Sequence, residues 1–109
     1  MADEAIVKSI QNYLRVVAQK GIPVKFGVLF GSYAAGKAHQ WSDIDLLVVS
    51  PLYDNHCTND DWTDLWVLAA RTDYRIEPIP VGEILYMKNK DIMILEIARR
   101  EGQIIPLAE

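Results

Sequence analysis

A single cysteine, Cys57, is the entire thiol content of this 109-residue chain. No internal disulfide can form, which excludes a disulfide-built secreted scaffold. Imidazole is equally scarce, with only His39 and His56. The pair His56-Cys57 has no second Cys/His pair to complete the roughly four ligands of a zinc site. The polar stretch around it also lacks the alternating acidic positions and following glycine of a calcium loop. Positive charge is in deficit: 11 Lys and Arg stand against 15 Asp and Glu, for a net charge of −4. Without a basic stripe there is no electrostatic footprint for nucleic acid, and no nucleic-acid partner is expected. No apolar run approaches the ~20 residues needed to cross a bilayer, and no charged-then-apolar leader opens the chain. A membrane partner is therefore not expected, and a cytoplasmic protein is. Repeats, low-complexity tracts and linkers are also missing. A chain of this length builds one core and not two, so residues 1–109 read as a single domain.

What is present is half hydrophobic and 24% charged, ordinary for a globular protein. The apolar run Phe26-Gly27-Val28-Leu29-Phe30 reads as a buried strand that ends at Gly31. A second run, Ile44 to Val49, opens with Asp43 and Asp45 one residue apart. Side chains alternate along a strand, so these two carboxylates point the same way while Ile44 points into the core. Adjacent carboxylates repel unless a cation sits between them, and hard divalent ions such as magnesium favour oxygen ligands alongside substrate phosphate. Gly31 lets backbone approach a ligand closely. Ser32 is placed to cap a short following helix, opened by Tyr33, whose free N–H groups favour an anion. The polar loop from Gly36 to Ser42 brings Lys37, His39 and Gln40 within reach of a nucleotide folded beneath it. Phosphate cradle and metal-binding carboxylates thus fall within about fifteen residues of each other, a catalytic layout.

Gly31-Ser32, ten intervening residues and Asp43-x-Asp45 resemble the signature of the DNA-polymerase-beta-like nucleotidyltransferase superfamily. The fuller wording, G-S-Y-A-A-G-K-A-H-Q-W-S-D-I-D-L-L-V-V, is similar to its minimal nucleotidyltransferase branch, small prokaryotic proteins that pair with helical HEPN partners in toxin–antitoxin systems. The likeness is strongest from Phe26 to Val49 and continues more weakly through Ile76-Glu77-Pro78-Ile79-Pro80-Val81. It implies that Gly31, Ser32, Lys37 and Ser42 bind the nucleotide and that Asp43, Asp45 and Glu77 are catalytic and metal-binding. It further implies two magnesium ions, with manganese as the alternative, and ATP or another nucleoside triphosphate as donor. The activity implied is transfer of AMP to a hydroxyl, on a HEPN-type partner protein. The competing class is a non-catalytic antitoxin module that neutralises its partner by binding. Members commonly carry arginine where this chain has Ala35, which leans toward that second class. Self-association is left open.

The remaining sequence supplies a scaffold. Asp3 to Lys20 carries Ile6, Ile10, Tyr13, Leu14 and Val17 at helical spacing, with Asp3 as cap and Gly21 and Pro23 at its end. After the polar stretch 52–61, Asn59 or Asp60 caps a helix from Asp61 to Arg71 with Trp62, Leu65, Trp66 and Ala69 along one face. Packing in the core is the default for that face, and an exposed tryptophan there points to a partner surface instead. Tyr74 to Val81 reads as a strand, and its two prolines, which cannot donate ladder hydrogen bonds, make it an edge strand or one that ends early. A short helix follows at 81–87. Asn89 then caps a second, from Lys90 to Glu101, with Ile94, Ile97, Ala98 and Leu95 as its apolar stripe and Gly102 as its stop. Gln103 to Leu107 adds a brief strand. This order predicts an α/β (α+β) domain, a small mixed sheet flanked by helices.

Overall fold

The computed structural model describes residues 3–39 and 41–107. Asp3 caps the first helix, α1 (Glu4–Gln19), by accepting from the Ile6 N–H at 3.0 Å. The five apolar positions read from the sequence are its five buried residues, each worth about 1.5–3 kcal/mol of burial. That packing, more than intrinsic propensity, holds a helix of this length. Gly21, at φ +98°, turns the chain into the sheet.

Four strands make that sheet: β1 (Phe26–Phe30), β2 (Ile44–Val49), β3 (Ile76–Val81) and β4 (Gln103–Pro106), in the order β3-β2-β1-β4. β1 lies antiparallel to β2 and β4, whereas β2 and β3 run parallel, so the sheet is mixed as expected. The parallel pair needs a crossover, and α2 (Asn59–Thr72) provides it. Thr58, one residue ahead of the expected cap, starts α2 through a reciprocal capping box with Asp61. α3 (Glu83–Lys88) and α4 (Met93–Glu101) complete the chain. α3 takes its cap from far away in sequence, since the Asp54 carboxylate accepts from the Ile84 N–H at 2.9 Å. Asn89 caps the turn ahead of α4 through the N–H groups of Asp91 and Ile92, and the helix starts three residues later than the sequence suggested.

Alternation divides the apolar strand residues between two clusters, one on each face of the sheet, where chain length predicted a single core. Leu29, Ile44, Leu46, Val48 and Ile76 pack with α1 and α2. Val28, Phe30, Leu47, Val49 and Val81 pack with Tyr86 of α3 and Leu95 and Ala98 of α4. Ser50 is buried where β2 ends. Its hydroxyl donates to the Pro23 carbonyl and accepts from the Leu52 N–H, so the burial carries no unpaired group.

β3 is an edge, and it is blocked. Pro78 and Pro80 lack an N–H, and the Trp66 indole donates to the Pro78 carbonyl at 3.0 Å. Trp66 therefore works from outside the core. Leu65, Leu68 and Ala69 are the buried residues of α2, while Trp62 and Trp66 stay 41% and 44% exposed. The core-packing expectation holds for Leu65 and Ala69 and fails for both tryptophans.

Candidate active site

Asp45 occupies the second position of β2 and shares its face with Leu47 and Val49, on the α3/α4 side. The register sets Asp45 opposite Phe30 on β1 and opposite Glu77 on β3. Glu77 belongs to the face of Ile79 and Val81, so the strand pairing places it beside Asp45 on the same side of the sheet. Asp43 lies just before the strand, exposed, with its carboxyl in hydrogen-bonding reach of Glu77. Two acidic residues of one strand start and a third from 32 positions further on thus share one end of the sheet.

Their crowding has an electrostatic signature. The Asp45 carboxyl is raised above its ordinary range, first by burial and then by the Asp43 charge. Glu77 is raised by the hydrogen bond with Asp43, then by burial and by the charges of Asp43 and Asp45. Both directions mean that negative charge is held here at a cost a cation would relieve. All the donors are hard oxygens, the set that suits magnesium or manganese. Among the described residues, no three His, Cys, Asp or Glu side chains already surround one ion-sized position. In donor chemistry the residues fit a divalent ion.

Gly31 sits against this cluster at φ +75°, and a Cβ built on it would collide with the Asp45 carboxylate. Both facts require glycine, one through backbone conformation and the other through space. The expected short helix after Ser32 does not form. Residues 31–36 are a succession of turns, in which Ala35 N–H bonds to the Gly31 carbonyl and Lys37 N–H to the Ser32 carbonyl, and Gly36 takes φ +72°. Two positive-φ glycines five positions apart, Gly31 and Gly36, prevent a helix from propagating. The backbone expected to open a helix after Ser32 is instead carried by turns.

Gly31, Ser32 and Lys37 line a cavity of about 630 Å³, facing Ile94, Ile97 and Glu101 of α4. This volume lies in the usual range for small-molecule sites. Ser42 stands outside that lining and clasps the preceding loop, its hydroxyl accepting from the His39 N–H at 2.9 Å. His39 is turned back into the same loop, with Nδ1 accepting from the Trp41 N–H. Gln40, expected over the nucleotide, lies outside the described residues.

Sequence reasoning missed two contributors. The first is α4, which reads in sequence as an apolar-striped helix with no part in the site and whose Ile94, Ile97 and Glu101 line the cavity. The second is a latch at the same end of the sheet. Asp73 accepts from Arg75 Nε at 3.0 Å and Nη2 at 2.7 Å, and from the Ser9 hydroxyl of α1 at 2.6 Å. This pulls the Asp73 carboxyl down to about 2, chiefly through Arg75. Arg75 also borders Tyr33 of the turn, and its carbonyl accepts from the Ile44 N–H. The D-x-R spacing at the end of a helix was the only available signal, and a fork-to-carboxylate pair two residues apart is weak evidence alone.

The family profile described as "Nucleotidyltransferase domain" matches residues 10–104 of the chain. By sequence, no curated protein matches it. Among solved structures, a toxin–antitoxin crystallised with AMP-PNP is 21% identical with a TM-score of 0.62, covering 91% of this chain and 74% of the other. A mutant of the toxin–antitoxin MntA–HpeT is 19% identical with a TM-score of 0.61, covering 91% and 74%. A protein described as a candidate nucleotidyltransferase from Sulfolobus solfataricus is 18% identical with a TM-score of 0.60, covering 90% and 77%. At these identities the likeness establishes the fold.

Proposed function

Because the chain belongs to the nucleotidyltransferase domain family, we propose that it transfers AMP from ATP to a hydroxyl of a partner protein. The observation that carries this reading is the contact of Gly31 with Asp45, in register with Glu77. It joins a close-approach turn for phosphate to a carboxylate cluster short of a cation. In the proposed site, turn backbone from Gly31 to Lys37 holds the triphosphate and the Lys37 ammonium offsets its charge. Asp43, Asp45 and Glu77 hold magnesium, with two ions expected from the family and manganese as a substitute. A bound divalent ion supplies charge neutralisation for the attacking and leaving oxygens of an in-line displacement. The acceptor oxygen bonds to the α-phosphorus as the α–β bridging P–O bond breaks. Pyrophosphate leaves and the hydroxyl proton passes to solvent. Glu77, on the β3 edge, serves the acceptor side. Positioning by this rigid sheet end accounts for much of the rate.

A protein acceptor suits the chain better than nucleic acid. Net charge is −4, and α2 presents Trp62, Trp66, Val67 and Ala70 along one shallow groove. Exposed tryptophans of this kind are typical interface anchors. The solved structures described as toxin–antitoxin support a toxin as that partner, and the motif resemblance from Phe26 to Val49 suggests a helical HEPN-type one. AMP then goes to a tyrosine, serine or threonine of the partner, and the protein acts as a cytoplasmic antitoxin. The same tryptophan face, with Ala35 in the turn, favours a second reading in which binding alone neutralises the partner.

Calorimetry tests the nucleotide site. ATP binds with magnesium or manganese, and equal affinity in a chelator overturns the metal assignment. Asp43→Asn with Asp45→Asn removes the metal-dependent part and leaves the fold intact. Co-expression with the neighbouring gene product, followed by intact-mass analysis, tests the acceptor. An added AMP mass on the partner supports transfer. Stable association without it selects the binding-only reading, and AMP found on RNA or a small molecule refutes both.

A further inference from the structure

α4 carries two apolar stripes, and only one of them serves the core. Leu95 and Ala98 are 2% and 1% exposed and pack against Val28 and Phe30 of the sheet. Ile94, Ile97 and Glu101 follow at helical spacing along the adjacent face and belong to neither core cluster. They form one wall of the cavity whose other wall is Phe30, Gly31, Ser32, Ala34, Ala35 and Lys37. That wall is held firmly. The Arg99 guanidinium donates to the carbonyls of Tyr86 and Asn89, which ties α4 to α3. Gly102 lies too close to Val28 and Leu29 for any side chain, which fixes the helix end against β1.

We infer that this cavity seats the nucleoside half of the nucleotide, with Ile94 and Ile97 covering the base against Ala34 and Ala35. Glu101 accepts a hydrogen bond from a nucleoside N–H or O–H donor. The inference rests on the reading of the Gly31–Lys37 turn as a triphosphate cradle and extends it to the rest of the molecule bound there. Three features support it. The cavity begins at Gly31, where the phosphates are placed, so a nucleotide anchored there has α4 beside it. Ile94 and Ile97 face Phe30, Ala34 and Ala35 across the cavity, while the Gly31 backbone and the Lys37 cation lie in the same lining, matching a ligand with one apolar and one anionic end. Glu101 is the sole acidic group in that wall, and a carboxylate accepts but does not donate. An apolar cover reads bases weakly, so affinity should follow base size and discrimination among purines should depend on Glu101.

The test compares magnesium tripolyphosphate with magnesium ATP by calorimetry, in the wild type, in Ile94→Ser with Ile97→Ser, and in Glu101→Gln. The cradle alone explains tripolyphosphate binding, and the wall explains any advantage of ATP over it. The wild type should bind ATP at least about tenfold more tightly than tripolyphosphate. The double isoleucine variant should lose most of that advantage and keep its tripolyphosphate affinity. Glu101→Gln should weaken ATP about threefold or more and leave tripolyphosphate unchanged. Replacing ATP by its 2′-deoxy form, or by purine riboside triphosphate without the exocyclic amine, locates the donor. The analogue that binds wild type and Glu101→Gln equally well lacks the group Glu101 holds. Failure of wild type to bind tripolyphosphate overturns the cradle. Binding of tripolyphosphate with no ATP advantage, or an advantage untouched by the isoleucine changes, overturns the nucleoside wall alone. Tighter tripolyphosphate binding by Glu101→Gln shows that Glu101 faces the phosphates and overturns its assignment.

Discussion

Replacing Gly31 by alanine should damage fold and site through two separable effects. Gly31 adopts φ +75°, where an L side chain costs about 1–2 kcal/mol. The new Cβ also meets the Asp45 carboxylate, which must leave its rotamer at about 0.5–1.5 kcal/mol more. Together these predict a loss of about 2–3 kcal/mol for Gly31→Ala. Gly21 supplies the control. It has φ +98°, and its Cβ position has no neighbour within 4 Å, so Gly21→Ala should cost only the backbone share. Urea denaturation of the metal-free proteins gives the difference, and a double-mutant cycle isolates its source. In an Asp45→Ala background the excess cost of Gly31→Ala should vanish, because the obstructing carboxylate is gone. Calorimetry completes the assay, since Gly31→Ala should lose metal-dependent ATP affinity and Gly21→Ala should keep it. Equal destabilisation by the two alanines, with ATP affinity intact in both, refutes the contact between cradle and carboxylate as the organising feature of the site.

Asp73→Asn should destabilise the protein by about 1 kcal/mol at neutral pH, a value discounted from the full pKa shift because Arg75 is 35% exposed. A carboxyl depressed to about 2 stabilises above the ordinary carboxylate range near ~3.9 and loses that contribution as pH falls through about 2. The gap between variant and wild type in urea midpoints should therefore close below that range, and a gap that persists unchanged rules out the latch as its cause. Glu77→Gln should lower the transfer rate far more than ATP affinity, since Glu77 is assigned to the acceptor side; single-turnover kinetics showing an equal loss in binding contradict that assignment. Trp62→Ala with Val67→Ala should leave the melting temperature within a few degrees and weaken association with the partner at least about tenfold, because both side chains are 41% exposed. Pull-down by the variant at wild-type strength assigns the partner to another face.

Local pattern was enough to determine much of this protein. The stripe of α1, the apolar runs of β1 and β2, the edge position of β3 and the common face of Asp43 and Asp45 all follow from periods of 3.6 or 2 and from proline chemistry. Glu77 could be nominated as a lone acidic residue on a proline-bearing strand, but its place beside Asp45 depends on strand register, which pairs residues 32 positions apart. The turns at 31–36 defeated the helix reading because two left-handed glycines outweigh a good capping residue. Trp62 and Trp66 shared a helical face with Leu65 and Ala69, yet only the packing of α2 on the sheet decided which part of that face was covered. α4 makes the same point for the site itself. Ile94, Ile97, Leu95 and Ala98 are indistinguishable as one apolar surface in sequence. Which pair is buried and which is left lining the cavity beside Gly31 depends on how α4 packs against β1, and in the folded chain Arg99 ties it to α3 while Gly102 lies close against Val28 and Leu29.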